Sequence, residues 1–160
     1  AFVIAKNLAE MSKLRTPVIS VVIGEGGSGG ALGICVADRL AILQNAYLSV
    51  ISPEGCAAIL WRDASKAPQA AELLRLTPNE LQQLGIVDDI LEEPLGGAHR
   101  HPKDMGDILK AYLVRTLDAA MAVPIDRLLE KRYEKHRRIG YFLESEEQKL
   151  VASGVPSLGR

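Results

Sequence analysis

Gly24-Glu25-Gly26-Gly27-Ser28-Gly29-Gly30-Ala31 is the stretch on which the reading of this chain turns. Five glycines fall within seven consecutive positions. Before them runs an apolar segment (Val18, Ile19, Val21, Val22, Ile23) that reads as a buried strand, and after them a glycine-spaced apolar segment from Leu32 to Leu40 that reads as a helix. The glycines therefore occupy a strand-to-helix turn. Glycine there tolerates positive φ and lets a ligand reach the bare backbone, while the first N–H groups of a helix have no intrahelical acceptor. Together these features predict a turn that holds a negative oxygen with main-chain amides.

Three chemistries use a turn of this kind, and the neighbouring residues separate them. Gly24-x-Gly26-x-x-Gly29 fits the dinucleotide fingerprint, which also needs an acidic residue about 20 positions on to hold a ribose. None stands between Asp38 and Glu54. A P-loop closes on Lys and then Ser or Thr to reach phosphate and magnesium, whereas Gly30 is followed by Ala31 and Leu32. Gly26-x-Ser28-x-Gly30 matches a nucleophile elbow, with Ser28 as the attacking hydroxyl and Asp88 or Asp89, then His99, following in the required order. That hydrolase reading stays open on these residues, although a lone Ser in a glycine run is also an ordinary turn residue.

Outward from the turn, strands and helices alternate with short joins, the pattern of an α/β architecture. Strands are predicted over 18–23, 40–43, 47–51 and 86–91. Ser52 and Pro53 supply an N-cap and a first-turn proline for a helix over 54–61, Pro68 opens another over 69–74, and Thr77-Pro78-Asn79-Glu80 is a capping box for a short helix ending at Gly85. Residues 1–15 carry a helical apolar pattern (Ile4, Leu8, Met11) that starts with neither an initiating Met nor an N-cap residue, so the chain reads as a fragment of a longer protein. Beyond Pro102, the residues Met105, Ile108, Leu109, Tyr112, Leu113, Leu117 and Met121 form one apolar helical stripe. A second amphipathic stretch over 125–133 leads into Lys131, Arg132, Lys135, Arg137 and Arg138, interleaved with Tyr133, Tyr141 and Phe142. This basic cluster reads as a solvated helix face, and its functional counterpart is a docking surface for an acidic partner or a phosphorylated ligand. Residues 1–101 thus read as the main domain, 102–142 as a helical extension for packing or subunit contact, and 143–160, polar with Gly and Pro, as a loose tail.

Composition sets outer bounds. With 48% hydrophobic residues and a formal charge of -1, the 160 residues suffice for one globular core and give no support to non-specific nucleic-acid binding. No apolar run approaches the roughly 18 residues of a membrane span. Cys35 and Cys56 lack a paired-ligand spacing and read as reduced, buried thiols. His99-Arg100-His101 has no Cys or acidic partner at zinc-like spacing and reads as a turn with surface histidines, so no metal is expected. Trp61 reads as core or interface, and Glu25 and Glu54 flank the glycine turn in structural roles.

Residues 16–55 (TPVISVVIGEGGSGGALGICVADRLAILQNAYLSVISPEG) resemble the central segment of the crotonase superfamily: a Pro before a strand, a Gly-Gly-Ala helix start, Ala37-Asp38 at the helix end, two short strands and a Pro-Glu turn. The longer words are more specific. Residues 23–33 (IGEGGSGGALG), 52–61 (SPEGCAAILW), 64–67 (ASKA) and 93–100 (EPLGGAHR) together resemble the carboxyltransferase α subunit of multisubunit acetyl-CoA carboxylase, over roughly residues 1–142. The resemblance implies a crotonase-like ββα superhelix, present in part because a preceding segment with a Pro-Gly-Ala-Tyr-Pro-Gly-type loop has no counterpart here, with a C-terminal helical extension.

It also implies a reaction, in which a carboxyl group passes from carboxybiotin on a biotin carboxyl carrier protein to acetyl-CoA, giving malonyl-CoA for fatty-acid synthesis. Negative charge then develops on the biotin ureido oxygen and on the thioester enolate, and preorganised backbone amides stabilise such oxyanions. Carried over by motif position, Gly29 and Gly30 are the oxyanion pair on the biotin side, and Gly26, Gly27 and Ala31 allow close approach of the biotin ring. A β subunit takes the acetyl-CoA side and carries any zinc ribbon. The expected assembly is a heterotetramer of two α and two β subunits (α2β2), cytoplasmic or, in a plant, in the plastid stroma. A crotonase-type or serine acyl hydrolase and a non-catalytic partner domain are the competing readings.

Overall fold

The computed structural model describes residues 2–140. The predicted loose tail over 143–160 and the aromatic pair Tyr141 and Phe142 lie outside the described residues.

Three strands, β1 (Ile19–Val22), β3 (Arg39–Leu43) and β5 (Asp89–Leu91), form a parallel sheet in the order β1-β3-β5. A second parallel pair joins β2 (Glu25–Gly27) to β4 (Tyr47–Ser49). Among the described residues seven α-helices accompany them: α1 (Phe2–Ser12), α2 (Ser28–Cys35), α3 (Pro53–Trp61), α4 (Ala67–Leu74), α5 (Pro78–Gln83), α6 (Pro102–Met121) and α7 (Ile125–Arg137). The central strand explains the unbroken apolar run in its sequence: Leu40, Ala41, Ile42 and Leu43 are all buried, as a strand covered on both faces requires. Val22, Leu48, Leu81, Leu91, Met105 and Tyr112 complete the core around it.

One device starts two strands. Asp38, just before β3, donates its N–H to the Val18 carbonyl (2.8 Å) and accepts the Val18 N–H on its carboxylate (2.7 Å). Asp88, just before β5, repeats the pattern on Leu40, at 2.8 and 2.7 Å. Each aspartate thereby locks its strand to the neighbour at the N-terminal edge of the sheet. Beside them, Arg39 on β3 holds Asp89 on β5 with two 2.8 Å hydrogen bonds, and the Tyr112 hydroxyl of α6 donates to Asp89 at 2.8 Å.

The predicted helices after Ser52, Pro68 and Thr77 are present as α3, α4 and α5. Ser52 Oγ accepts from Gly55 N–H at 3.1 Å, and the Glu80 carboxylate accepts from both the N–H and the hydroxyl of Thr77. Strand β4 stops at Ser49 instead of 51, and three further differences from expectation have visible causes. The helix read over 32–40 runs from Ser28 to Cys35, because Ala37 is fully buried and Asp38 is pinned to Val18, which ends the helix at Val36 and makes Leu40 part of β3. Strand β5 is confined to Asp89–Leu91, since Ile86 N–H bonds back to Leu81 and Asp88 is the strand-start residue. The glycine segment itself contains the short strand β2, which pairs with β4.

The C-terminal helices correct the reading of the basic cluster. Along α6, Met105 and Tyr112 are buried and Leu109 and Leu113 pack on the core, while Ile108, Leu117 and Met121 remain exposed. On α7, Arg132 is only 3% exposed and binds Asp38 through Nε and Nη2 at 2.8 and 2.7 Å, and Lys135 binds Asp88. Two of the five basic side chains thus turn inward onto the strand-start aspartates instead of forming a solvated or docking face. Lys131, Arg137 and Arg138 are exposed. Cys35 and Cys56 are free and half-buried, and burial pushes the Cys35 thiol up.

Candidate active site

Beyond β1 the chain passes Ile23 and Gly24 and pairs as β2 with β4 in the register Glu25↔Tyr47, Gly26↔Leu48 and Gly27↔Ser49. The Tyr47 N–H donates to the Gly24 carbonyl at 3.1 Å, which closes the near end of this pairing. Gly27 is extended (φ −139°, ψ 155°) and stands as the N-cap of α2, whose start receives no side-chain cap. Ser28 has φ 54°, in the left-handed region, so one strained residue swings the chain from strand into helix. The first-turn N–H groups, those of Gly29 and Gly30 among them, have neither an intrahelical acceptor nor a capping side chain. The helix dipole adds positive potential at the same end.

The five residues singled out in the sequence all lie in this turn, and the structure distinguishes them. A Cβ on Gly26 would stand 2.7 Å from Leu48 Cδ1 and 3.3 Å from Val22 Cγ1, so the bareness of Gly26 is taken up by the packing of β2 on β4. A Cβ on Gly30 would meet nothing within 4 Å, which leaves the helix start open to a ligand. Gly27 is exposed and Gly29 half-buried against Ile4. Ala31 is buried and lines, with Leu8, Leu32, Cys35, Leu48 and Leu81, an apolar cavity of about 460 Å³ along α2.

Desolvation, then the charge and hydrogen bonding of Glu25 and the charge of Glu54, push the Tyr47 phenol up. Glu54 lies in the first turn of α3 behind the Ser52 cap.

The nucleophile-elbow reading loses its partners. The turn follows the C-terminal end of β1, whereas Asp88 and Asp89 stand at the N-terminal end of β5, and the strands are parallel. Both aspartates are occupied, Asp88 by Leu40 N–H and Lys135 and Asp89 by Arg39 and Tyr112. Among the described residues no hydrogen bond joins Ser28 to a histidine. His99 and Arg100 are exposed in a loop whose Gly96 and Gly97 have φ of 96° and 93°. Hydrogen bonds from the Ala98 and Asn45 N–H groups hold the Glu93 carboxyl below its usual range in that loop. Among the described residues, no three His, Cys, Asp or Glu side chains are grouped to hold a metal ion.

Sequence reasoning missed Arg132 and His136 as parts of the site's support. Arg132 follows buried Leu128 by four positions on the same helical stripe, which is the one signal that it faces inward.

Comparison with known proteins bears on this turn. The acetyl co-enzyme A carboxylase carboxyltransferase-like family matches residues 1–140. The acetyl-coenzyme A carboxylase carboxyl transferase subunit alpha of Rhodopirellula baltica is 60% identical over 144 residues, covering 90% of this chain and 45% of that protein. The protein of the same name from Prochlorococcus marinus is 50% identical over 153 residues, covering 96% of this chain and 46% of that protein. The chain therefore spans just under half the length of these relatives. Among solved structures, a Pseudomonas malonate decarboxylase hetero-tetramer in complex with coenzyme A superposes with TM-score 0.54 at 17% identity, covering 94% of this chain and 56% of that one. An enoyl-CoA hydratase/isomerase from Marinobacter aquaeolei gives 0.52 at 19% identity, covering 94% and 55%. These two likenesses establish a crotonase-like α/β fold, present in part. With that fold, and with relatives at 50–60% identity over nine-tenths of its length, the chain belongs to the acetyl co-enzyme A carboxylase carboxyltransferase-like family.

Proposed function

We propose that this chain is the C-terminal portion of a carboxyltransferase α subunit and that the start of α2 stabilises the biotin oxyanion during carboxyl transfer from carboxybiotin to acetyl-CoA. The observation that carries this reading is the uncapped glycine start of α2, with open space at Gly30, in a chain of this family. The N–H groups of Gly29 and Gly30 donate to the ureido oxygen as charge develops on it. Gly27 leaves room for the ring, Ala31 is buried in the core behind the helix start rather than facing the ring, and Gly26 acts at one remove by letting β2 pair closely with β4. The donor set fits an anionic oxygen, since two main-chain amides and a helix dipole need no reorganisation when charge appears. When bound, carboxybiotin would supply both the carboxyl group and, at its ureido nitrogen, a base for the acetyl methyl proton, so no side-chain base would be required beside the turn. Malonyl-CoA is the product. A β subunit completes the acetyl-CoA side, a biotin carboxyl carrier protein delivers the carboxyl group, and the assembly is a heterotetramer of two α and two β subunits working in the cytoplasm or a plastid stroma.

The test is malonyl-CoA-dependent carboxylation of biocytin, the reverse half-reaction, using the N-terminally complete chain with and without its β partner. Activity should require the partner. Gly30→Val keeps the main-chain N–H but places a branched side chain where the ring must approach, and should lower kcat by about 10²–10³, as much as losing one oxyanion donor. A folded, partner-bound protein without activity would leave a crotonase-like scaffold with another role.

A further inference from the structure

The oxyanion helix presents its amides at one end and is gripped at the other. Cys35, the last residue of α2, has its carbonyl 3.0 Å from Nε2 of His136 on α7. Nδ1 of the same ring stands 2.7 Å from the Arg132 carbonyl one turn earlier. Both acceptors are carbonyl oxygens, so a ring nitrogen that bonds either of them does so as a donor. Arg132 in turn holds α7 to the sheet edge, through Asp38 and through the carbonyls of Met11, Leu14 and Thr16.

Along its length α2 packs through Ala31, Ile34 and Cys35 on the core and at Gly29 against Ile4, so its start is steadied less firmly than its end. Ala31 is its only buried residue, Cβ atoms at Gly30 and Gly33 would touch nothing within 4 Å, and no side chain caps its start. An eight-residue helix is about 12 Å long, so a tilt of about 5° about the Cys35 end moves the opposite end by ~1 Å. A displacement of that size at a reacting centre is enough to cost about 10²-fold in rate.

We propose that His136 is a positioning residue for carboxyl transfer: by donating to the Cys35 carbonyl it fixes the tilt of α2 and holds the Gly29 and Gly30 amides where the oxyanion forms. This inference rests on the oxyanion role assigned to that helix start. In this role His136, which also lines the apolar cavity along α2, acts through its bond to the Cys35 carbonyl. Because Arg132 and Lys135 retain their bonds to Asp38 and Asp88, replacing His136 removes the bond to the Cys35 carbonyl without detaching α7.

The experiment uses the complete subunit assembled with its β partner and measures kcat and KM in malonyl-CoA-dependent biocytin carboxylation, alongside the thermal unfolding midpoint. His136→Leu should lower kcat about 10- to 100-fold, change KM for malonyl-CoA less than about twofold, and leave the protein folded at the assay temperature. His136→Gln places an amide N–H near the position of Nε2 and should recover most of kcat. His136→Asn, too short to reach Cys35, should not. If His136→Leu does not fold, the Gln and Asn variants decide: equal kcat in the two overturns the proposal. Wild-type activity that Gly30→Val abolishes and His136→Leu spares overturns the positioning role alone. An inactive wild type overturns the oxyanion assignment and the positioning role with it.

Discussion

Replacing Arg132 by Met should be among the most damaging single changes to this fold, and its cost can be worked from the contacts. The guanidinium makes five hydrogen bonds: to the two Asp38 oxygens at 2.8 and 2.7 Å, and to the carbonyls of Met11, Leu14 and Thr16 at 3.3, 3.0 and 2.8 Å. Met keeps much of the aliphatic volume, so the loss is electrostatic rather than a cavity. Leu14 and Thr16 are exposed, and water can replace the bonds to their carbonyls. Asp38 is different, because its side chain is 8% exposed and only the Val18 N–H would remain on it. Breaking a buried pair from one side costs about 3–5 kcal/mol, against a total stability of about 5–15 kcal/mol. With a urea slope of about 2 kcal/mol/M, the midpoint should fall by about 2 M. Urea unfolding followed by circular dichroism and by the fluorescence of Trp61, the only tryptophan, gives two probes whose coincidence checks two-state behaviour. Asp38→Asn combined with Arg132→Met should cost less than the two single losses added, by about 1–3 kcal/mol, since no charge is left stranded. A loss below about 1 kcal/mol for Arg132→Met, or strict additivity in the double variant, would refute the claim that this pair holds α7 to the sheet.

The glycine turn yields a contrast between two positions. Gly30→Ala should leave stability unchanged or raise it by up to about 1 kcal/mol, as alanine does in a helix, yet impair biocytin carboxylation, read by thermal unfolding and turnover on the same preparation. Gly26→Ala should instead cost about 1–3 kcal/mol in urea unfolding, because its Cβ drives Leu48 out of a packed position. Alkaline pH should destabilise the chain through Tyr112, whose phenol is pushed up to about 12 by burial and by its bond to Asp89. A raised pKa stabilises fully below the ordinary value of about 10 and loses that contribution as pH rises toward 12. Urea midpoints should therefore fall over that window, and less so in Tyr112→Phe. On the acid side, burial raises Asp89 but its hydrogen bonds from Arg39 and Tyr112 prevail and hold it low. Its contribution is thus complete above about pH 4 and lost below, which Asp89→Asn should remove from the acid limb of the same titration.

The parts legible in the sequence were those with local causes. Ser52-Pro53 and Thr77 with Glu80 announce helix starts because a cap is written within four residues. The glycine turn at the start of α2 was legible for the same reason, its glycines being adjacent. Features that depend on distant partners were not. Strand β2 consists of Glu25, Gly26 and Gly27 and has no side-chain alternation, so its strand character exists only in its pairing with Tyr47–Ser49. The end of α2 was misjudged because a buried helix and a buried strand have the same apolar content, and Leu40 belongs to the second. Arg132 looked solvated among its basic neighbours, since the carboxylate that draws it inward lies 94 positions earlier in the chain.

The pairing of β2 with β4 has a consequence for how this region can vary. Its geometry is written in main-chain hydrogen bonds, which every residue except proline supplies equally. The turn is therefore blind to the chemistry of most of its side chains and sensitive to their bulk. At Gly26 the limit is set from inside by Leu48, and at Gly30 from outside by whatever must approach the amides. A lineage can exchange Glu25 or Tyr47 for residues of quite different character and keep the amides in place, while a single added methyl at either glycine is felt. Drift along this segment is governed by volume, and its chemical record is correspondingly poor.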